Sequence, residues 1–123
     1  MNIIFGDSIN SIPDHCIVLE LDTFRTTNSD RTITAYCLVE KMALDEFATM
    51  ESYKKIHADM IDAYRNQHWN YCEQALAGLT GKWNGDLDTF YSDLLARVKQ
   101  HKDQGVPDDW TAVILKDAGP SAG

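Results

Sequence analysis

Basic residues are scarce in this chain. Eleven Lys and Arg stand against nineteen Asp and Glu, which leaves a formal charge of −8 over 123 residues. A surface of that sign repels nucleic acid and anionic membranes at long range. No basic stripe relieves it. Lys54 with Lys55, and Arg97 with Lys99 and Lys102, are the densest groups, and both sit beside acids as solvated helix faces do. Direct nucleic-acid binding is therefore not expected. Long apolar runs are missing too, so no bilayer-spanning helix is expected. Asp7 interrupts the short apolar run after Met1, so no export signal is expected either. Cysteine is sparse: Cys16, Cys37 and Cys72 form no CxxC pair. An odd count without an export signal predicts reduced thiols in a cytoplasm, or a host cytoplasm if the gene is viral. Neither HExxH nor GxxxxGK[ST] occurs.

What is present describes a small domain with a strand-rich front and a helical back. The 44% hydrophobic and 24% charged content is that of a globular chain with one core. Residues 2–5 read as a first short strand closed by Gly6. Residues 7–14 read as a turn region, with Pro13 barring a central strand. From Cys16 to Arg25, Ile17, Leu19 and Leu21 alternate with Val18, Glu20 and Asp22, which predicts a half-buried strand. From Thr32 to Lys41, Ile33, Ala35, Cys37 and Val39 form a second apolar face, opposite Thr34, Tyr36 and Leu38. These two segments read as an antiparallel hairpin that needs a lid.

The back supplies it. Tyr53, Ile56, Met60, Ile61 and Tyr64 make one helical stripe, with Thr49 or Ser52 as the expected cap. After a break at residues 66–68, Trp69, Cys72, Ala75, Leu76 and Leu79 make another, ended by Gly81. Leu87, Phe90, Tyr91, Leu94, Leu95 and Val98 mark a third helix over about residues 86–104, stopped by Gly105 and Pro107. The predicted fold is α+β: a three-stranded antiparallel sheet covered on one face by a helical hairpin and a third helix. Residues 111–115 are a candidate fourth strand. One domain over residues 1–117 and a loose tail at 118–123 complete the reading.

The stretch Ala63-Tyr64-Arg65-Asn66-Gln67-His68-Trp69, followed by Cys72-Glu73-Gln74-Ala75-Leu76 and closing on Pro107, Asp109 and Trp110, resembles a tetratricopeptide-type helical hairpin. It is similar in particular to the helical segment that follows the catalytic domain in some bacterial class III nucleotide cyclases. The resemblance covers about residues 53–113. It implies an accessory packing unit with a regulatory or protein-binding role, and it carries over no catalytic residue. In general type the whole chain is also similar to small proteins of marine bacteria and their phages, which implies no activity.

Several groups of residues bear on function. Glu20 and Asp22, two apart on one strand face, could hold a cation or share proton transfer. With Thr34 and Tyr36 across the strand they form the candidate ligand-binding face. His68 and Cys72, four apart, are too few for zinc, and Cys72 falls on the apolar stripe. Cys37 lacks a local base and reads as a small core residue. Gly81-Lys82-Trp83-Asn84-Gly85 resembles part of a phosphate cradle but reads better as a helix connection. Gly78, costly in a helix, suggests close packing. Trp69, Trp83 and Trp110 are candidate interaction anchors. No catalytic set, metal or cofactor is expected. The function expected is protein interaction or regulation, with a protein partner or a homodimer. A ligand-binding protein or enzyme using the polar sheet face is the alternative. A nucleic-acid mimic, which needs carboxylates at phosphate-like spacing, is a third reading.

Overall fold

A computed structural model describes residues 2–6, 16–26, 30–40, 47–83 and 85–116. The expected turn at residues 7–14 and tail at 118–123 lie outside the described residues. Among the described residues, four strands and three helices follow in the order β1 (Asn2–Phe5), β2 (Cys16–Thr26), β3 (Thr32–Glu40), α1 (Phe47–Arg65), α2 (Trp69–Leu79), α3 (Asp88–Gln104) and β4 (Val113–Lys116). The α+β class is as the patterns predict.

The strands lie in the order β1-β3-β2-β4. β2 and β3 form the expected antiparallel hairpin, with Ile17 opposite Val39 and Leu19 opposite Cys37. β1 adds antiparallel to β3. The candidate fourth strand exists, but it runs parallel to β2, with Thr23 beside Val113. The sheet is therefore mixed and not purely antiparallel. The reason is the connection. Between β3 and β4 the chain passes through all three helices, and a helical crossover can return a strand in the parallel sense where a tight hairpin cannot.

Alternation in β2 and β3 turns Ile17, Leu19, Leu21, Ala35, Cys37 and Val39 to the helical side. There they join Met60, Leu76, Leu79, Leu94 and Val98 in one core. Ile33 continues the same pattern but is 51% exposed, because it lies beyond the cover of the helices.

The helix boundaries follow local chemistry. α1 begins at Phe47, so Thr49 and Ser52 lie inside it and do not cap it. The Ser52 hydroxyl instead donates back to the Ala48 carbonyl, 3.2 Å away. Its C-terminus is a Schellman turn: His68 N–H donates to the Ala63 carbonyl (2.8 Å) and Gln67 N–H to that of Tyr64 (3.2 Å). Gln67, at φ 62°, occupies the left-handed position usually given to glycine. Gly78 is exposed on α2, and a Cβ there would meet nothing within 4 Å. Close packing does not explain this glycine.

Candidate functional site

The candidate sheet-face residues are rearranged by one irregularity in β2. Glu20 stands opposite Tyr36 and Thr23 opposite Thr34, so Leu21 and Asp22 together face the single Ala35. This is a β-bulge, which re-aims a side chain. Glu20 and Tyr36 stay on the face away from the core. Asp22 reaches α3, where its carboxylate accepts two hydrogen bonds from the Arg97 guanidinium, at 2.9 and 3.1 Å. Burial opposes the Arg97 charge, but the hydrogen bonds and charge of Asp22 outweigh it and raise the Arg97 pKa above its usual value. Glu20 takes a different partner. It accepts from Arg65 of α1, which also reaches the Thr23 hydroxyl at 3.4 Å. Thr34 shares a hydroxyl–hydroxyl bond of 2.9 Å with Thr23. The four candidates therefore do not converge. Glu20 and Tyr36 share one site, Asp22 belongs to an ion pair with α3, and Thr34 belongs to a cross-strand pair.

The site that Glu20 and Tyr36 share is a groove of about 380 Å³ between α1 and β2. β4 pairs with β2 only from Thr23 onward, so α1 flanks the earlier part of that strand edge. Val18, Leu19, Ala58 and Ile61 give the groove apolar walls. Lys54, Asp62 and Arg65 line it from the helix. The volume lies at the small end of the range for ligand pockets.

Behind the groove lies a feature that periodicity does not reveal. His57 is 1% exposed and the only buried side chain among the described residues outside the apolar and aromatic set. Its Nε2 is 2.6 Å from the Glu20 carbonyl oxygen, and its Nδ1 is 2.9 Å from the Tyr91 hydroxyl. Trp83 Nε1 donates to the same hydroxyl at 2.9 Å. The ends of this chain fix its direction. An indole can only donate and a carbonyl can only accept. Trp83 therefore gives its proton to Tyr91, Tyr91 gives its own to His57 Nδ1, and His57 Nε2–H goes to Glu20. The ring is neutral in this arrangement. Burial lowers the His57 pKa, and the Glu20 carbonyl opposes that only in part. Burial likewise raises the Tyr91 pKa. The sequence clue was a histidine on the apolar side of α1, one residue after Ile56 and three before Met60. Its partners, 34 and 37 residues away, have no local signature.

Trp83 is not a surface anchor. It is 1% exposed, held by Tyr91 and packed edge-on to Tyr53 at 6.1 Å. Trp69 and Trp110 are half-buried in a cluster with Tyr64 and His101, in which all six ring pairs lie 5.4–6.2 Å apart. The cluster ties the α1–α2 turn and the segment before β4 to α3. Burial, and then Arg97, lower the His101 pKa.

His68 is exposed while Cys72 is fully buried, its thiol directed at the Met60 carbonyl. Burial pushes the Cys72 thiol up to about 11. Cys37 is also fully buried. In the Gly81–Gly85 connection, Gly81 N–H donates to the Asp88 carboxylate at 2.7 Å, so a side chain already occupies the place an anion would take. Among the described residues no group of three or more His, Cys, Asp or Glu is placed to hold a metal ion. None of the described helices is long and apolar enough to cross a membrane.

A different surface stands out on the sheet. Ile3 and Phe5 of edge strand β1 are 44% and 53% exposed, and Ile33, two residues from the Ala35 that Phe5 faces, is 51% exposed on the same side. Ile3 pairs with Cys37 and Phe5 with Ala35, so this stripe continues the core face past the edge of the helices. β1 carries no charge and no proline, the usual guards of an edge strand. Compared with protein-family models, curated proteins and solved structures, the chain matches none.

Proposed function

We propose that this chain is a small protein-interaction or regulatory domain that acts by docking, with β1 as its contact strand and a second copy as its partner. The observation that carries this reading is the exposed pair Ile3 and Phe5 on edge strand β1, which carries no charge, with exposed Ile33 of neighbouring β3 on the same face. An acidic chain repels its own copies, and an uncharged strand is where that repulsion is least. Antiparallel pairing with Ile4 opposite Ile4 keeps both helical layers on one side of a continuous sheet. It also sets Ile3 of each copy opposite the partner's Phe5, an aliphatic–aromatic cross-strand pair. The resemblance of residues 53–113 to an accessory helical segment agrees with a role without catalysis, and the absence of a disulfide among Cys16, Cys37 and Cys72 agrees with a cytoplasmic setting. Size-exclusion chromatography with light scattering at micromolar concentration tests the reading. The expected result is a dimer that Phe5→Lys converts to a folded monomer. A monomeric wild-type protein overturns self-pairing.

The groove along α1 favours a second reading, a small-ligand binder with Glu20, Tyr36, Lys54 and Arg65 as its polar contacts. A thermal-shift screen of metabolites tests it. Stabilisation that disappears in Glu20→Gln and Tyr36→Phe supports this reading, and a screen with no stabilising compound removes its support.

A further inference from the structure

We propose that His57 is an acid-sensitive latch: neutral, it clamps α1 to β2 and α3, and protonated, it releases Tyr91 and loosens α1 along the groove. The geometry carries this. Each ring nitrogen holds a different element, with Glu20 of β2 on one side and Tyr91 of α3 on the other. A proton added at Nδ1 turns the acceptor for Tyr91 into a donor. The Tyr91 oxygen already accepts from Trp83, so two donors then converge on it and its own O–H loses its acceptor. An unpaired donor and a charged ring inside the core are both costly.

The groups around the ring define the bias. From α3, Tyr91 and the Phe90 ring, 6.3 Å away, face it. From the α2–α3 connection comes Trp83, through Tyr91. Cys37 of β3 and Asp88 act on Tyr91 electrostatically. In the groove that His57 lines, Lys54 and Arg65 oppose a new positive charge, while Asp62 and the Arg65-bound carboxylate of Glu20 favour it. The groove, which His57 lines, gives the charged ring a route to water.

Amide hydrogen exchange, taken as protection factors between about pH 7.5 and about pH 5, tests the latch. The expected result is a loss of about tenfold or more in the middle of α1 relative to α2 in the wild type, and no such differential in His57→Gln. A parallel loss in both helices, or the same differential in His57→Gln, overturns the proposal. Should His57→Gln fail to fold, Tyr91→Phe decides. It deprives the neutral ring of its donor, so the transition moves to higher pH, and an unmoved transition overturns the latch. Imidazole nitrogen shifts at neutral pH provide a further check: an Nε2–H ring is required, and an Nδ1–H ring refutes it. His101→Gln, outside the chain of bonds, leaves the differential intact.

Discussion

Gln67 holds a backbone conformation that glycine holds more cheaply. At φ 62° its Cβ crowds the neighbouring carbonyl, while its side chain is exposed. Gln67→Gly therefore raises stability by about 1 kcal/mol, read as a higher urea midpoint with unchanged slope. Gly78 is the mirror case. It is helical, exposed, and has open space where a Cβ would go. Gly78→Ala gains about 0.5–1 kcal/mol by the same measurement. The cysteines separate by burial. Cys37 and Cys72 are fully buried, and the Cys72 thiol is held well above its ordinary pKa, while Cys16 is partly exposed. An aromatic disulfide reagent at mildly alkaline pH should modify Cys16 quickly and the other two only after denaturant is added.

At the scale of elements, the bulge in β2 matters most. It brings Asp22 round to α3 and leaves Glu20 to α1, so one strand is tied to two helices by two separate ion pairs. Ion pairs in this fold differ in weight. Asp22 and Arg97 are mostly buried and doubly bonded, whereas Lys55 and Asp59 form an exposed pair within one helix. Asp22→Asn should lower stability by about 1.5–3 kcal/mol, because it leaves the guanidinium under-satisfied. Lys55→Ala should change it by no more than about 0.5 kcal/mol. Chemical denaturation of the two variants side by side checks the contrast. The crossover through three helices is the other decision at this scale, since it sets β4 parallel to β2 and leaves β1 as an edge.

For the molecule as a whole, two histidines set the response to acid. Burial lowers the pKa of both His57 and His101 in the folded state. Below about pH 6.5 the unfolded chain therefore binds protons that the folded chain refuses, and stability falls as pH falls through that window. Urea midpoints should decline between about pH 7.5 and about pH 5, with His57→Gln and His101→Gln each flattening the curve. A curve that stays flat in the wild type contradicts the burial of both rings. The same two residues link the strand layer to the helices and the α1–α2 turn to α3, so loss of either is felt across element boundaries.

Residue pattern alone determined the α+β class, the β2–β3 hairpin and the three helical stripes. The period-two burial of Ile17, Leu19 and Leu21, and the helical spacing of Leu87, Phe90, Tyr91 and Leu94, each record a face that must leave water. Part of the groove was legible as well, because Glu20 and Tyr36 alternate out of the core. Tertiary structure decided the rest. A bulge of one residue cannot be seen in an alternation, yet it sends Asp22 to Arg97, 75 residues away. A glutamine in the position of a turn glycine hides the Schellman motif. The burial of Trp83, the chain of bonds through His57 and the exposure of Ile3, Phe5 and Ile33 depend on which surfaces the helices cover. That coverage is a property of long-range packing, and nearest-neighbour chemistry does not encode it.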